Sequence, residues 1–128
     1  MINPEQNHMI NRLNKTPRMS QIVSYNGTVL LCGQVAKDAR EDVQGQTRQI
    51  LQQIDDLLAQ AGCEKSDVLS ANIWLSDIRQ FALMNEIWDS WVDVENPPVR
   101  ACVEARLARV ELAVEIQVTA AEPSAKGY

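Results

Sequence analysis

Histidine is nearly absent from this chain: His8 is the single example in 128 residues. A Ser-His-Asp or Cys-His arrangement needs its base on a rigid support. His8 sits in a polar segment without periodicity, so no chemistry is expected through it. Cysteine is scarce too. Cys32, Cys63 and Cys102 are odd in number, widely spaced and form no CxxC pair. That suggests neither a disulfide framework nor a thiolate zinc site, and it fits a reducing, cytoplasmic compartment. No His/Cys/carboxylate cluster has metal-ligand spacing. Neither GxxxxGKS/T nor GxGxxG occurs, so no metal and no cofactor is expected. Long apolar runs are missing, and with them any bilayer-spanning helix. The start, MINPEQNHMINRLNK, has no apolar core of the kind a secretory signal needs. Basic clusters are absent as well. The 12 Lys and Arg are scattered singly against 17 Asp and Glu, for a net charge of −5. This weighs against nucleic acid as a partner. It leaves room for a small anion, for which one well-placed arginine is enough.

What is there suffices for one domain. Apolar residues make up 45% of the chain, and a domain of this length buries roughly two thirds of its unfolded surface. Residues 1–18 read as an N-terminal tail or edge arm, 19–121 as the domain and 122–128 as a polar tail. QIVSY, Asn26-Gly27 and TVLLC form a hairpin of the type I′ kind. TVLLC is apolar enough to be buried on both faces. Residues 41–61 form a helix, with Val43, Ile50, Ile54, Leu57, Leu58 and Ala61 on one face and Gln and Asp on the other. Asp55-Asp56 reads as a solvated pair rather than an acid–base dyad. Residues 68–75 alternate as a strand, with Val68, Ser70, Asn72 and Trp74 opposite Leu69, Ala71, Ile73 and Leu75. Asp77 and Gln80 have capping-box spacing. They precede a helix over 79–93 whose Phe81, Met84, Trp88 and Trp91 stripe reads as packing against a sheet. Strands follow at 99–106 and 112–120. The order is ββαβαββ, an α+β two-layer domain with two helices on one face of a mixed sheet. The other sheet face also carries apolar residues, so subunit association is expected to cover it.

In PPVRACVEAR, period 2 puts Val99, Ala101 and Val103 on one face and Arg100, Cys102 and Glu104 on the other. Arg100 has two readings. It pairs with a carboxylate such as Glu104 or Glu115, or it waits for an anion that its planar fork can bind bidentately. On the second reading Cys102 and Glu104 shape the pocket, and Glu115 on the final strand holds a water.

GQVA at 33–36, FALMNEIWDSWV at 81–92, PPVRACVEARL and AVEIQVTA together resemble the Rid (reactive intermediate deaminase) family, also called YjgF-like or endoribonuclease L-PSP. The resemblance runs from about Met19 to Ala121. Its most specific piece is Pro-x-Arg-x-Cys-Val-Glu, with a Val-Glu-Ile strand following. The resemblance implies a chorismate-mutase-like fold and a homotrimer with intersubunit pockets. It implies hydrolysis of 2-imino acids, formed from enamines, to 2-oxo acids and ammonia, without a cofactor. By the same resemblance Arg100 anchors the substrate carboxylate and Glu115 orients water. Cys102 lines the pocket through its backbone, Asn85 is the helix asparagine, and Cys32-Gly33 stands where the family has Ser before Gly-Gln. Cys32 is a departure. Met19 is another, standing where the best-studied branch has a covering aromatic, and the loop LARVEL lacks Leu-Pro. The pattern resembles a side branch of the family. A non-catalytic trimer that binds a small carboxylate is the alternative function. An endoribonuclease is disfavoured by the acidic composition.

Overall fold

The computed structural model describes residues 9–123. His8 and the last residues of the polar tail, 124–128, lie outside that range. Seven strands and two α-helices follow one another as β1 (Asn11–Lys15), β2 (Ser20–Tyr25), β3 (Thr28–Leu31), β4 (Gln34–Val35), α1 (Val43–Gln60), β5 (Val68–Leu75), α2 (Phe81–Trp91), β6 (Val99–Glu104) and β7 (Val114–Ala121). They form one mixed sheet in the order β1-β2-β3-β7-β5-β6, with β4 also paired to β7. The α+β class with two helices and a mixed sheet is as the patterning indicates. Two strands add to the order read from sequence. Residues 11–15 of the N-terminal segment pair with β2 at the sheet's edge, and the two residues of β4 pair with β7.

The β2–β3 hairpin turns on Asn26 (φ 50°) and Gly27 (φ 82°), both left-handed as a type I′ turn requires. Asp42 caps α1, its side chain accepting from the Gly45 N–H at 2.9 Å. Gly62 (φ 76°) ends the same helix in the left-handed region. Between β5 and β6 the chain crosses over through α2, so those two strands run parallel. The core is the helix-covered sheet face. Ile22, Leu31, Ile73, Ile116 and Val118 meet Ile50, Ile54 and Leu58 of α1 and Met84 of α2, all at most 1% exposed.

Four local expectations are corrected. β3 is buried on one face only: Val29 and Leu31 are buried, but Leu30 is 44% exposed, because nothing among the described residues covers the second sheet face. The alternation of β5 breaks at a bulge between Val68 and Ser70, which leaves Leu69 exposed. Asp77 makes no box with Gln80. Its carboxylate accepts from the Arg79 N–H and pairs with the Arg79 guanidinium at 2.8 Å. The polar face of α1 is not all solvated, since Gln46 and Thr47 are buried. No described helix is long and apolar enough to cross a membrane.

Candidate functional site

β6 is an edge strand, and its register on β5 sets the direction of Arg100. Arg100 pairs with Ala71, Cys102 with Ile73 and Glu104 with Leu75. Paired residues of a ladder share a face. All three partners are buried, so the Arg100–Cys102–Glu104 row lies on the helix side, at the margin of α2. Val99, Ala101 and Val103 take the uncovered side, where Val99 is 72% exposed and Val103 51%.

Three residues of α2, at one-turn and two-turn spacing, receive the guanidinium. Arg100 Nη1 donates to Asn85 Oδ1 at 2.7 Å. The guanidinium carbon stands 5.3 Å from the Trp88 ring centroid and 5.7 Å from that of Phe81. Both are cation–π distances. Every one of these partners is neutral. Among the described residues no carboxylate forms an ion pair with Arg100. Glu104 accepts instead from the Ile78 N–H at 3.0 Å, which excludes the pairing that spacing allowed for it. Burial pushes the Cys102 thiol up, and the Arg100 charge opposes that only in part. A thiol held neutral is a poor nucleophile.

Glu115 stands elsewhere. It pairs with Trp74 on one side and Val35 on the other. Trp74 is three residues from Ala71, so Glu115 and Arg100 project from opposite faces of the sheet. Their strands flank β5 on either side, roughly 10 Å apart at the usual spacing. Beside Glu115 lie Gly33 and Cys32, while Gln34, paired with Ile116, faces the helix side. The carboxylate fills the place of a Gly33 side chain, since a Cβ there would collide with Glu115 Oε2. Gln34 Nε2 donates to Cys32 Sγ at 3.1 Å, and Gln34 Oε1 accepts from Gln53 Nε2 at 3.1 Å. Burial raises the Cys32 thiol above its ordinary value, and the nearby Glu115 charge adds to this.

The residues singled out from sequence therefore form two groups. Arg100, Asn85 and Cys102 make a cationic half. Glu115, Cys32 and Gly33 make an anionic half. One chain does not bring them to a common ligand. Phe81, Trp88 and Gln34 are site neighbours the sequence reading missed. The i, i+4, i+7 run Phe81–Asn85–Trp88 was the available signal for the first two. An open cavity of about 610 Å³ lies beyond Glu104, lined by Ser76, Arg106, Arg109 and Leu112 among others. It continues the row from its third residue rather than from Arg100. Among the described residues no group of His, Cys, Asp and Glu is arranged to hold a metal ion.

The chain is similar to known proteins over most of its length. The family model described as endoribonuclease L-PSP matches residues 9–122. A RutC family protein of Haemophilus ducreyi is 42% identical over 113 residues, which is 88% of this chain and 97% of that protein. The RutC family protein YoaB of Escherichia coli is 39% identical over 110 residues, covering 86% and 96%. Among solved structures, a YjgF family member from Neisseria meningitidis superposes with a TM-score of 0.88 at 45% identity, covering 91% of this chain and 97% of that one. A Rid family protein from Yersinia pestis does so with a TM-score of 0.77 at 28% identity, covering 84% and 90%.

Proposed function

Because this chain belongs to the endoribonuclease L-PSP (YjgF/RutC) family, we propose that it hydrolyses reactive 2-imino acids to 2-oxo acids and ammonia, in pockets built between copies of itself. The observation that carries this reading is the Arg100 guanidinium, held by an amide and two aromatic rings with no carboxylate partner. Its charge is free for an incoming acid. The separation of the two half-sites supports the second part: Arg100 of one chain and Glu115 of a neighbour can face one ligand, whereas within a chain they face apart.

The chemistry asks little of the protein. An iminium carbon is already electrophilic. Arg100 binds the substrate carboxylate bidentately and fixes the position of that carbon. Glu115 accepts a proton from a water as its oxygen adds to the carbon, giving a carbinolamine. The same carboxyl returns the proton to nitrogen, and ammonia leaves as the carbinolamine hydroxyl gives its proton back to the Glu115 carboxylate and the carbon–oxygen double bond forms. Backbone N–H groups near Cys102 and Gly33 steady the oxygen of the intermediate. The neutral thiols take no covalent part.

A trapping assay tests the proposal. An amino-acid oxidase generates the imino acid, and semicarbazide competes with the protein for it. Wild-type protein suppresses the semicarbazone. Arg100→Ala abolishes the suppression while the oligomer persists. An unchanged rate in Arg100→Ala refutes the assignment. Saturable binding of 2-oxobutyrate without turnover in the wild type converts the reading to a carboxylate-binding protein.

A further inference from the structure

At the surface of the helical layer, α1 and α2 leave a groove of about 180 Å³ between them. Arg48, Leu51 and Asp55 of α1 line it, with Ile87 and Trp91 of α2 and Lys65 from the turn before β5. The floor is apolar: Leu51 and Trp91 are buried and Ile87 packs against the core. Asp55 is already engaged, accepting from Trp91 Nε1 at 2.9 Å. Its sequence reading as a solvated surface carboxylate is thereby corrected. Lys65 Nζ stands 5.4 Å from the centre of the Trp91 ring. Among the described residues neither Lys65 nor Arg48 forms an ion pair. The lining therefore carries two cations, Arg48 and Lys65, against the single carboxylate of Asp55.

We propose that this groove is a second anion site, for a small aromatic carboxylate. The carboxylate sits between the Arg48 fork and the Lys65 ammonium, geometry that suits a guanidinium in particular. The ring lies on the Ile87 and Trp91 surface. The groove, about 180 Å³, admits a benzoate-sized body. The groove belongs to the helical layer, so an assembly that covers the bare sheet face leaves it open. Arg100 is not part of its lining, and the inference does not rest on the deaminase reading.

Heteronuclear NMR of the full chain, titrated with sodium benzoate, tests this, with sodium chloride at matched ionic strength as control. The expected result is saturable shifts of the Trp91 indole N–H and of the Arg48 and Lys65 amides. These persist in Arg100→Ala and weaken about tenfold in the Arg48→Gln, Lys65→Gln double variant. Undisturbed signals from the core residue Ile54 report that the variant is folded. Three results overturn the proposal: no shift at these groups up to tens of millimolar benzoate, equal shifts with chloride alone, or shifts that disappear in Arg100→Ala.

Discussion

An arginine on an edge strand can satisfy its N–H groups with water, with a carboxylate or with neutral acceptors. Arg100 uses the third option, and the choice has a consequence. An amide oxygen orients the guanidinium without cancelling its charge. Asn85→Asp puts a carboxylate where that oxygen stands, adding an internal counter-ion at nearly constant shape. The wild-type bond is already charge-assisted through the guanidinium, and an exposed ion pair in its place adds only about 0–1 kcal/mol. The variant is therefore expected to be at least as stable as wild type while its KM for the imino acid rises tenfold or more. Asn85→Ala loses orientation only and is expected to raise KM less. Thermal melts and steady-state kinetics on the three proteins check this, and a wild-type KM in Asn85→Asp contradicts it. Part of this site was legible in the residues: PVRAC put the arginine on a face of its own, and Asn85 lay in the motif on α2. Its aromatic seat was not legible, because a Phe and a Trp at helical spacing look the same whether they pack on a sheet or on a cation. Trp88 does both, being 5% exposed and 5.3 Å from the Arg100 guanidinium carbon.

At the scale of the element, α1 does more than cover the sheet. Its apolar stripe was plain in the sequence at spacings of three, four and seven, and every residue of it from Val43 to Leu58 is buried. Gln46 lies beside that stripe, and composition gives no sign of what a glutamine amide meets. It is 1% exposed. Its Nε2 donates to the carbonyls of Ala39, Glu41 and Glu111, and its Oε1 accepts from the Ala113 N–H at 2.9 Å. One side chain thus ties the loop before α1 to the segment entering β7, two residues ahead of Glu115. Gln46→Leu keeps the volume but removes up to three full hydrogen bonds, two from the amide N–H protons shared among three carbonyls and one from the Ala113 N–H, at about 1–3 kcal/mol for each backbone group left unpaired in the interior. The expected loss is about 4 kcal/mol or more in urea unfolding. Gln52→Leu, on the exposed side of the same helix, is expected to change stability by less than about 0.5 kcal/mol. Comparable losses in the two variants would show that the Gln46 network is replaced by water at little cost. The β5 bulge escaped sequence reading for a related reason: period 2 is a property of an unbroken ladder, and nothing in VLSAN marks where the partner strand slips.

For the molecule as a whole, the sheet's two faces divide the functional groups. The helix side holds the core and, at its margin, Arg100. The bare side carries Glu115 together with Leu30, Val99 and Val103, three apolar side chains between 44% and 72% exposed. The expectation of association came from this imbalance, and the opposed directions of Arg100 and Glu115 are what a pocket shared between copies would use. A pocket using Arg100 from one chain and Glu115 from the next makes a prediction that a pocket within one chain does not. Arg100→Ala and Glu115→Ala are each expected to be inactive in the trapping assay. Dissociated, mixed in equal amounts and reassembled, they form rings in which some interfaces pair the intact Arg100 of one variant with the intact Glu115 of the other. In a closed ring each chain offers one half of the pocket to its neighbour, and half of the chains keep each residue. About one quarter of the interfaces then carry both, and the mixture recovers about that share of wild-type activity. A pocket contained in one chain recovers nothing on mixing, because no chain in the mixture holds both residues. The ratio of recovered to wild-type rate, read at full reassembly by light scattering, decides between the two arrangements.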